Sequence, residues 1–269
     1  MNTVEYSRHV PSPELTGLVE HYWSVVSSAP PEPLRAVLVP NGRSTIQFCL
    51  GRPGYRFAEG QPARPNADVY LPATTSPLII EQEGASHYVG IQFSPWGARS
   101  VLGDAGREPV QVADALAPVP DKAALATDPA AELDQWLMSF TRRRPRDPDP
   151  VPSTELVTRA VEIVDAAPSE TDVHGLNVRL AVSASTLYRT FRIHTGMSPK
   201  QYIQVMRYRA FTDRLLAESG GHPAALLAAL SGYADQSHSS RDFVRYTGMS
   251  ARAFRDAYDG IARLMARST

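Results

Sequence analysis

One twelve-residue block occurs twice in this chain: residues 187–198 read LYRTFRIHTGMS and residues 239–250 read SSRDFVRYTGMS. Six positions are identical, namely Arg189/Arg241, Phe191/Phe243, Thr195/Thr247, Gly196/Gly248, Met197/Met249 and Ser198/Ser250. No insertion interrupts either copy, and each follows a short helix, a turn and a polar helix start. The pattern predicts two helix-turn-helix units on one domain, a device able to read two successive turns of DNA.

The two copies have matching faces. In the first reading helix Leu187 and Phe191 lie four apart and point to a core, whereas Ser185, Tyr188, Arg189 and Arg192 share the opposite face. In the second, Phe243 repeats the core position and Gln236, Ser237, Ser240 and Arg241 face outward. Hydroxyl, amide and guanidinium groups are the types that pair with base edges and phosphates. A polar helix face alone is ordinary solvated surface; the duplication is what singles this one out. Helix-pair arrays that bind proteins need at least three repeats for stability, and this chain has two, with unlike connecting segments. The helix between them, from Ser198 to about Glu218, spans about 30 Å at 1.5 Å per residue. Adjacent major-groove faces lie ~34 Å apart, so such a helix can hold both heads on one side of a duplex.

Local signals place the remaining helices. STELVTRAVEIVDAA repeats apolar residues at helical spacing (Leu156, Val157, Ala160, Val161, Val164), with Ser153 or Thr154 as its expected cap. Val173–Ala181 reads as a short helix, Ser183 as the N-cap of the first reading helix, Gly196 as its end, and Pro199 as the first residue of the linking helix. Gly220-Gly221 stops that helix. The second cycle is expected at Pro223–Leu230, a turn at 231–233, a helix capped by Asp235, and a last helix from Ser250 to about Tyr258. Residues 153–269 carry 14 Lys+Arg against 11 Asp+Glu, and the rest carries 13 against 17, so the C-terminal part is the anion-binding half. Lys200 is its one lysine; arginine suits bidentate contact with guanine or phosphate, and a GC-rich genome favours it equally.

The first 110 residues look β-rich. AVLVP, STIQFCL, DVYLPA, PLIIEQ and HYVGIQF are short apolar runs, separated by turn signals at Asn41-Gly42, Gly51–Gly54 and Ser94–Gly97. Strands at this spacing suggest an antiparallel barrel or sandwich. Asn41-Gly42 reads as a hairpin turn, and ELTGLVEHYW (14–23) fits either an entry helix or a strand. Residues 110–140 turn helical, and TRRRPRDPDPVP (141–152) cannot pack a core. The expected division is a β-rich effector or dimerisation domain at 1–140, a linker at 141–152 and a DNA-binding domain at 153–269. The single cysteine, Cys49, allows no internal disulfide and no cysteine-rich zinc site, and its apolar run makes it a buried strand residue.

GYADQSHSSRDFVRYTGMS (232–250) resembles the second helix-turn-helix signature of the AraC family of bacterial transcription regulators. SASTLYRTFRIHTGMSPKQYI (183–203), with the spacing that follows in Arg207–Leu216, resembles the first. The resemblance covers roughly residues 153–260. It implies seven helices, two helix-turn-helix units and a bridging helix, and it carries base contacts to Ser185, Tyr188, Arg189, Gln236, Ser237, Ser240 and Arg241. Two features depart from the family pattern. Ser239 stands where the family has a large apolar residue, and Gly175 and Asn177 stand where it has better helix formers, each disfavouring helix by up to ~1 kcal/mol relative to Ala. YSRHVPSPEL, VLVPNGRSTIQFCLG and VGIQFSPWGA more loosely resemble β-rich, cupin-like sensor domains fused to some of these regulators.

The fold expected is therefore a β-rich, barrel-like (cupin-like) N-terminal domain plus an all-α C-terminal domain with two helix-turn-helix units joined by a long helix. For an effector site, Tyr22, Trp23, Tyr55, Phe93 and Trp96 could line a barrel interior, with Arg43, His87 or Gln92 as polar anchors; as ordinary core aromatics they would need no ligand. His9, His21 and His87 are isolated, which argues against a metal, and no cofactor motif, nucleophile elbow or phosphate loop occurs. The resulting expectation is a cytoplasmic regulator and not an enzyme. Its partners would be double-stranded DNA, a small-molecule effector, a second copy of itself and, where it activates, RNA polymerase, with no membrane. Two other readings stay open: a cupin-like enzyme that uses the helical part for targeting, and a protein-interaction module with vestigial DNA-binding units, which Ser239 favours.

Overall fold

A computed structural model describes residues 4–28, 33–58, 60–103, 109–143, 151–217, 236–248 and 250. The N-terminal domain is built from ten strands: β1 (Val4–His9), β2 (Val19–Ser27), β3 (Leu34–Leu38), β4 (Thr45–Cys49), β5 (Tyr55–Phe57), β6 (Arg64–Pro65), β7 (Val69–Leu71), β8 (Leu78–Gln82), β9 (Ser86–Phe93) and β10 (Val110–Gln111). They form a six-stranded sheet in the order β1-β2-β9-β4-β7-β10 and a four-stranded sheet in the order β3-β8-β5-β6. Every strand pair in both is antiparallel. All five apolar runs read as strands in the sequence are strands, and the ambiguous 14–23 segment holds a 3-10 turn at Pro13–Leu15 followed by the start of β2. The hairpin expected at Asn41-Gly42 is corrected: β3 and β4 belong to different sheets, so this turn carries the chain from one sheet to the other.

Strand alternation divides the aromatic residues of the larger sheet. Tyr22, Ile46, Phe48, Val89, Ile91 and Phe93 fall on one face and are buried against α4 (Pro129–Arg143), where Leu133, Trp136 and Leu137 complete the core. Phe48 meets Trp136 edge-on at 5.4 Å between centroids, a geometry that aromatic quadrupoles favour. The short helices α1 (Gly97–Leu102), α2 (Val112–Ala115) and α3 (Lys122–Thr127) close the same face. Tyr22 Oη donates to Asp134 Oδ1 of α4 at 2.6 Å. Cys49 is buried in β4.

The helical domain follows. Its described helices are α5 (Val151–Ala166), α6 (Val173–Leu180), α7 (Ala184–Thr195), α8 (Pro199–Ala217) and α9 (Gln236–Thr247). Helix α4 runs three residues into the Pro/Arg-rich 141–152 segment, and α5 begins at Val151, two residues ahead of the expected start. Ser153 and Thr154 therefore lie inside α5 and do not cap it; Ser153 Oγ instead pairs with His194 Nε2 of α7 at 3.2 Å. The expected helix at 223–230, the Asp235 cap and the last helix from Ser250 lie outside the described residues. Among the described residues no helix is long and apolar enough to cross a membrane.

Helix α8 is the axis of this domain. Ser198 opens it with a capping box: its Oγ accepts from Gln201 N at 3.2 Å, and Gln201 Oε1 accepts from Ser198 N at 2.9 Å. Tyr202, Ile203, Val205, Met206, Tyr208, Phe211 and Leu215 are all buried. Its aromatic residues hold both reading helices, Tyr202 against Phe191 (5.7 Å) and Tyr208 and Phe211 against Phe243 (5.6 and 5.4 Å). Phe191 and Phe243 are 0% and 1% exposed. Phe191→Ala is expected to cost about 3–5 kcal/mol of stability, measured by urea unfolding; a loss below about 1 kcal/mol would show that α7 does not depend on this anchor.

Candidate nucleic-acid interface and the domain junction

The first unit is shaped by caps. Asp172 accepts from Gly175 N at 2.6 Å and starts α6. Ala181 ends it in a left-handed conformation (φ 53°), uncommon for a residue with a Cβ. Ser183 Oγ then accepts from Thr186 N at 3.1 Å and starts α7, as the sequence predicts. Leu187, Thr190, Phe191 and His194 turn inward, and Ser185, Tyr188, Arg189 and Arg192 are exposed along the opposite side, Tyr188 by 55%. Arg192 Nη1 donates to Gly196 O at 2.7 Å, capping the C-terminal end of the helix with a cation.

The second unit repeats this construction. In α9, Phe243, Tyr246 and Thr247 are buried, whereas Ser240 and Arg241 are exposed. The side chains of Gln236, Ser237 and Ser239 lie outside the described residues. Three of the duplicated letters have a physical task in both copies. The phenylalanine anchors on α8; the threonine hydroxyl donates to the carbonyl of that phenylalanine four residues back, Thr195 to Phe191 and Thr247 to Phe243. The glycine ends the helix at φ 73° in both copies, a conformation that glycine adopts without cost.

The two domains meet at an ion network that the sequence does not announce. Arg43, in the β3–β4 turn, donates through Nε to Glu20 Oε1 (2.8 Å), through Nη2 to Asp165 Oδ2 of α5 (2.6 Å) and through Nη1 to Tyr202 Oη of α8 (2.7 Å). Tyr202 Oη in turn donates to Asp165 Oδ1 at 2.7 Å. The Arg43 side chain is 9% exposed. Burial pushes the Tyr202 hydroxyl well above its usual pKa, the Arg43 cation works against that shift, and Asp165 adds to it. The phenol is thus a neutral donor to Asp165. Next to Arg43, Gly42 has φ 73°, and a Cβ there would lie 2.8 Å from the Tyr202 ring; only glycine fits this contact. Val37, Val39, Ala73 and Trp96 pack on the helical core from the β side. Beyond them, Pro72 and Ala73 face Tyr188, Arg189, Arg192 and Ile193 across a groove, so the β domain stands beside the outward face of α7.

The six residues expected at an effector site do not line one space. Tyr22 and His87 fall on the helix-covered side of the larger sheet, Trp23 and Gln92 on the other. Arg43 is held in the domain junction and Trp96 packs toward the helical core. Of the two further aromatics, Phe93 is a core residue and Tyr55 is 53% exposed. Among the described residues no three potential metal ligands cluster. His21, on the Trp23 side of β2, sits beside Tyr6 Oη (3.4 Å). Its pKa is lowered from 6.5 to about 4, first by burial and then by the cations Arg8 and Arg209, the latter on α8.

Two outcomes follow from the junction. Arg43→Met leaves Asp165 and Glu20 without their cation and should cost about 3 kcal/mol, the low end for breaking a buried pair because both carboxylates keep water contact. Hydrogen exchange should localise the loosening to α5 and α8; unchanged exchange there would show that the network does not hold the domains. Unfolded His21 takes up a proton below about pH 6.5 and the folded form not until about pH 4, so His21 removes stability as pH falls through that window. His21→Gln should flatten the fall in urea stability between pH 7 and 5, and an unaltered slope would assign it to other groups.

Comparison with known proteins agrees with this architecture. Residues 176–257 match the family described as Helix-turn-helix domain, and residues 7–109 match Domain of unknown function (DUF6597). The HTH-type transcriptional activator RhaS of Escherichia fergusonii is 35% identical over 81 residues, which are 30% of this chain and 28% of RhaS. The chain thus spans under a third of the length of that relative. Two solved structures of ToxT from Vibrio cholerae share the two-domain fold at a TM-score of 0.50. One is 10% identical over 89% of this chain and 99% of ToxT, the other 9% identical over 96% and 99%. The helical region of this chain is an AraC-type helix-turn-helix domain, carried behind a β-rich N-terminal domain of the DUF6597 family.

Proposed function

We propose that this protein is a sequence-specific, DNA-binding transcription regulator controlled by a small molecule bound in its N-terminal domain. One observation carries the reading. Two helices with the same internal construction, α7 and α9, are anchored by equivalent phenylalanines on one shared helix, and both turn hydroxyl and guanidinium groups outward. Ser185, Tyr188, Arg189 and Arg192 would enter one major groove. Ser240 and Arg241, with Gln236 and Ser237 at the start of α9, would enter the next. Helix α8, with 19 residues, is about 28 Å long, close to the ~34 Å spacing of successive grooves. The matched RhaS segment belongs, by its name, to a transcriptional activator.

In this reading residues 1–140 sense and dimerise, 141–152 link, and 153–269 read DNA. The protein is a cytoplasmic homodimer without catalytic activity, and RNA polymerase is its partner where it activates. The effector would occupy the space between the two sheets, which Trp23 and Gln92 face, and would shift the population of the DNA-binding arrangement.

Selection from random duplex DNA with the full chain should enrich two blocks about one helical turn (~10 bp) apart. Arg189→Ala should relax preference in one block and Arg241→Ala in the other, each costing about 1–3 kcal/mol. Uniform weakening on all sequences would make either arginine a phosphate contact. No enrichment at any salt concentration would overturn the reading in favour of a protein-interaction module.

A further inference from the structure

The space between the two sheets is not the core of the N-terminal domain. Tyr88 Oη, from β9, donates to Gln82 Oε1 of β8 at 2.9 Å, which shows that the Gln82 face of the smaller sheet looks toward the larger one. Gln82, Ile80 and Leu78 alternate onto that face, and Arg56 lies opposite Ile80 in the register. From the larger sheet, Tyr88, Gly90 and Gln92 of β9 and Trp23 of β2 look back. The Trp23 indole lies directly over Gly90. Trp23, Leu38, Leu78 and Ile80 face inward, yet they keep partial solvent contact and join neither of the two packed hydrophobic cores. Apolar side chains between two sheets normally make the core; here Trp23, Leu38, Leu78 and Ile80 are only partly buried, whereas Val25, Val69, Gln82, Tyr88 and Gln92 on the facing surfaces are buried.

This interior also holds a charge without a counter-charge. Arg56 is 6% exposed. Its guanidinium donates through Nη1 to the Pro65 carbonyl, and among the described residues no carboxylate lies within 4.0 Å of it. The neighbouring polar groups satisfy one another, Gln47 Nε2 with Asn66 Oδ1 at 2.6 Å and Tyr88 with Gln82. Burial lowers the pKa of Arg56 and the nearby Arg64 lowers it further, with no anion opposing them. A buried ion is normally paired, and a guanidinium presents five donors in a plane that matches a carboxylate.

We propose that the inter-sheet space binds a small organic carboxylate, with Arg56 as its counter-ion and the Trp23 indole as the wall for its apolar body. This deepens the effector reading above and rests on it. Arg43 has no part in the site, because Glu20 and Asp165 already neutralise it.

The test uses the full chain and two matched pairs of probes, benzoate with benzamide and indole-3-acetate with indole-3-acetamide, followed by calorimetry and thermal melting. At least one acid should bind and raise Tm, and its amide should bind at least about tenfold more weakly, as expected for loss of a charge-assisted pair. Arg56→Gln should abolish the discrimination between acid and amide. Arg56→Lys, which keeps the charge, should retain part of it and serves if the Gln variant fails to fold. Equal binding of acid and amide, or undiminished acid binding by Arg56→Gln, would overturn the carboxylate assignment and leave an effector site of other chemistry. Absence of binding by all four probes would overturn the inference as well. The DNA selection described above is read without any probe, so failure here and failure of the regulator reading are distinguishable.

Discussion

Both reading helices depend on one contact made twice, a phenylalanine buried against the aromatic residues of α8. Tyr202 holds Phe191 near the start of that helix, and Tyr208 and Phe211 hold Phe243 further along. The separation of the two heads is therefore set by the number of residues between these anchors on a rigid rod, and not by loops. The rest of the repeated block serves the same end. A threonine ties off the last turn and a glycine ends the helix at the same φ in each copy. The phenylalanine, threonine and glycine of the repeated block are what this geometry requires at those three places.

Tyr202 has a second task that gives the junction its character. Its ring packs on the first reading helix while its hydroxyl receives Arg43 and donates to Asp165. One residue thus joins the β domain, α5 and α7. Buried ion networks contribute little net stability compared with apolar packing, but they are demanding in geometry. A junction built on one selects a single docking of the domains and penalises displacement steeply.

Much of this was legible in the sequence, and the parts that were not have identifiable reasons. Strands, caps and the repeat are local patterns, and the Ser183 cap, the Gly196 end and the five apolar strands could be read within a few residues. Alternation and distance account for what local patterns do not show. Tyr22 and Trp23 look like one aromatic pair, yet consecutive strand residues point to opposite faces, so one is core and the other faces the inter-sheet space. Arg43, expected as a polar anchor of a ligand pocket, is held instead by Asp165 and Tyr202, which lie 122 and 159 positions away, and no local rule reaches so far. Arg56 carries no local signal, since a charged residue in a short, turn-flanked segment has the pattern of ordinary surface. Only the pairing of β5 with β8 shows it facing inward.

The same contacts form a continuous physical route from the inter-sheet face to the reading helix. His21 shares the Trp23 side of β2, and Glu20, its neighbour in the chain, grips Arg43. Arg43 meets Tyr202, and Tyr202 packs on Phe191. Regulation requires more than contiguity: a ligand shifts an equilibrium only by its differential affinity for two arrangements. In the regulator reading proposed above, the junction would supply a pair of arrangements, engaged and released, because a network of short ionic hydrogen bonds is either formed or broken. The wall that Pro72 and Ala73 place beside Tyr188, Arg189 and Arg192 would give these arrangements different consequences. In that reading, a duplex approaching α7 would meet the β domain with the junction engaged and the helix alone with the junction released. Control of DNA access would then be a question of how the β domain is seated, and the seat is built around Arg43.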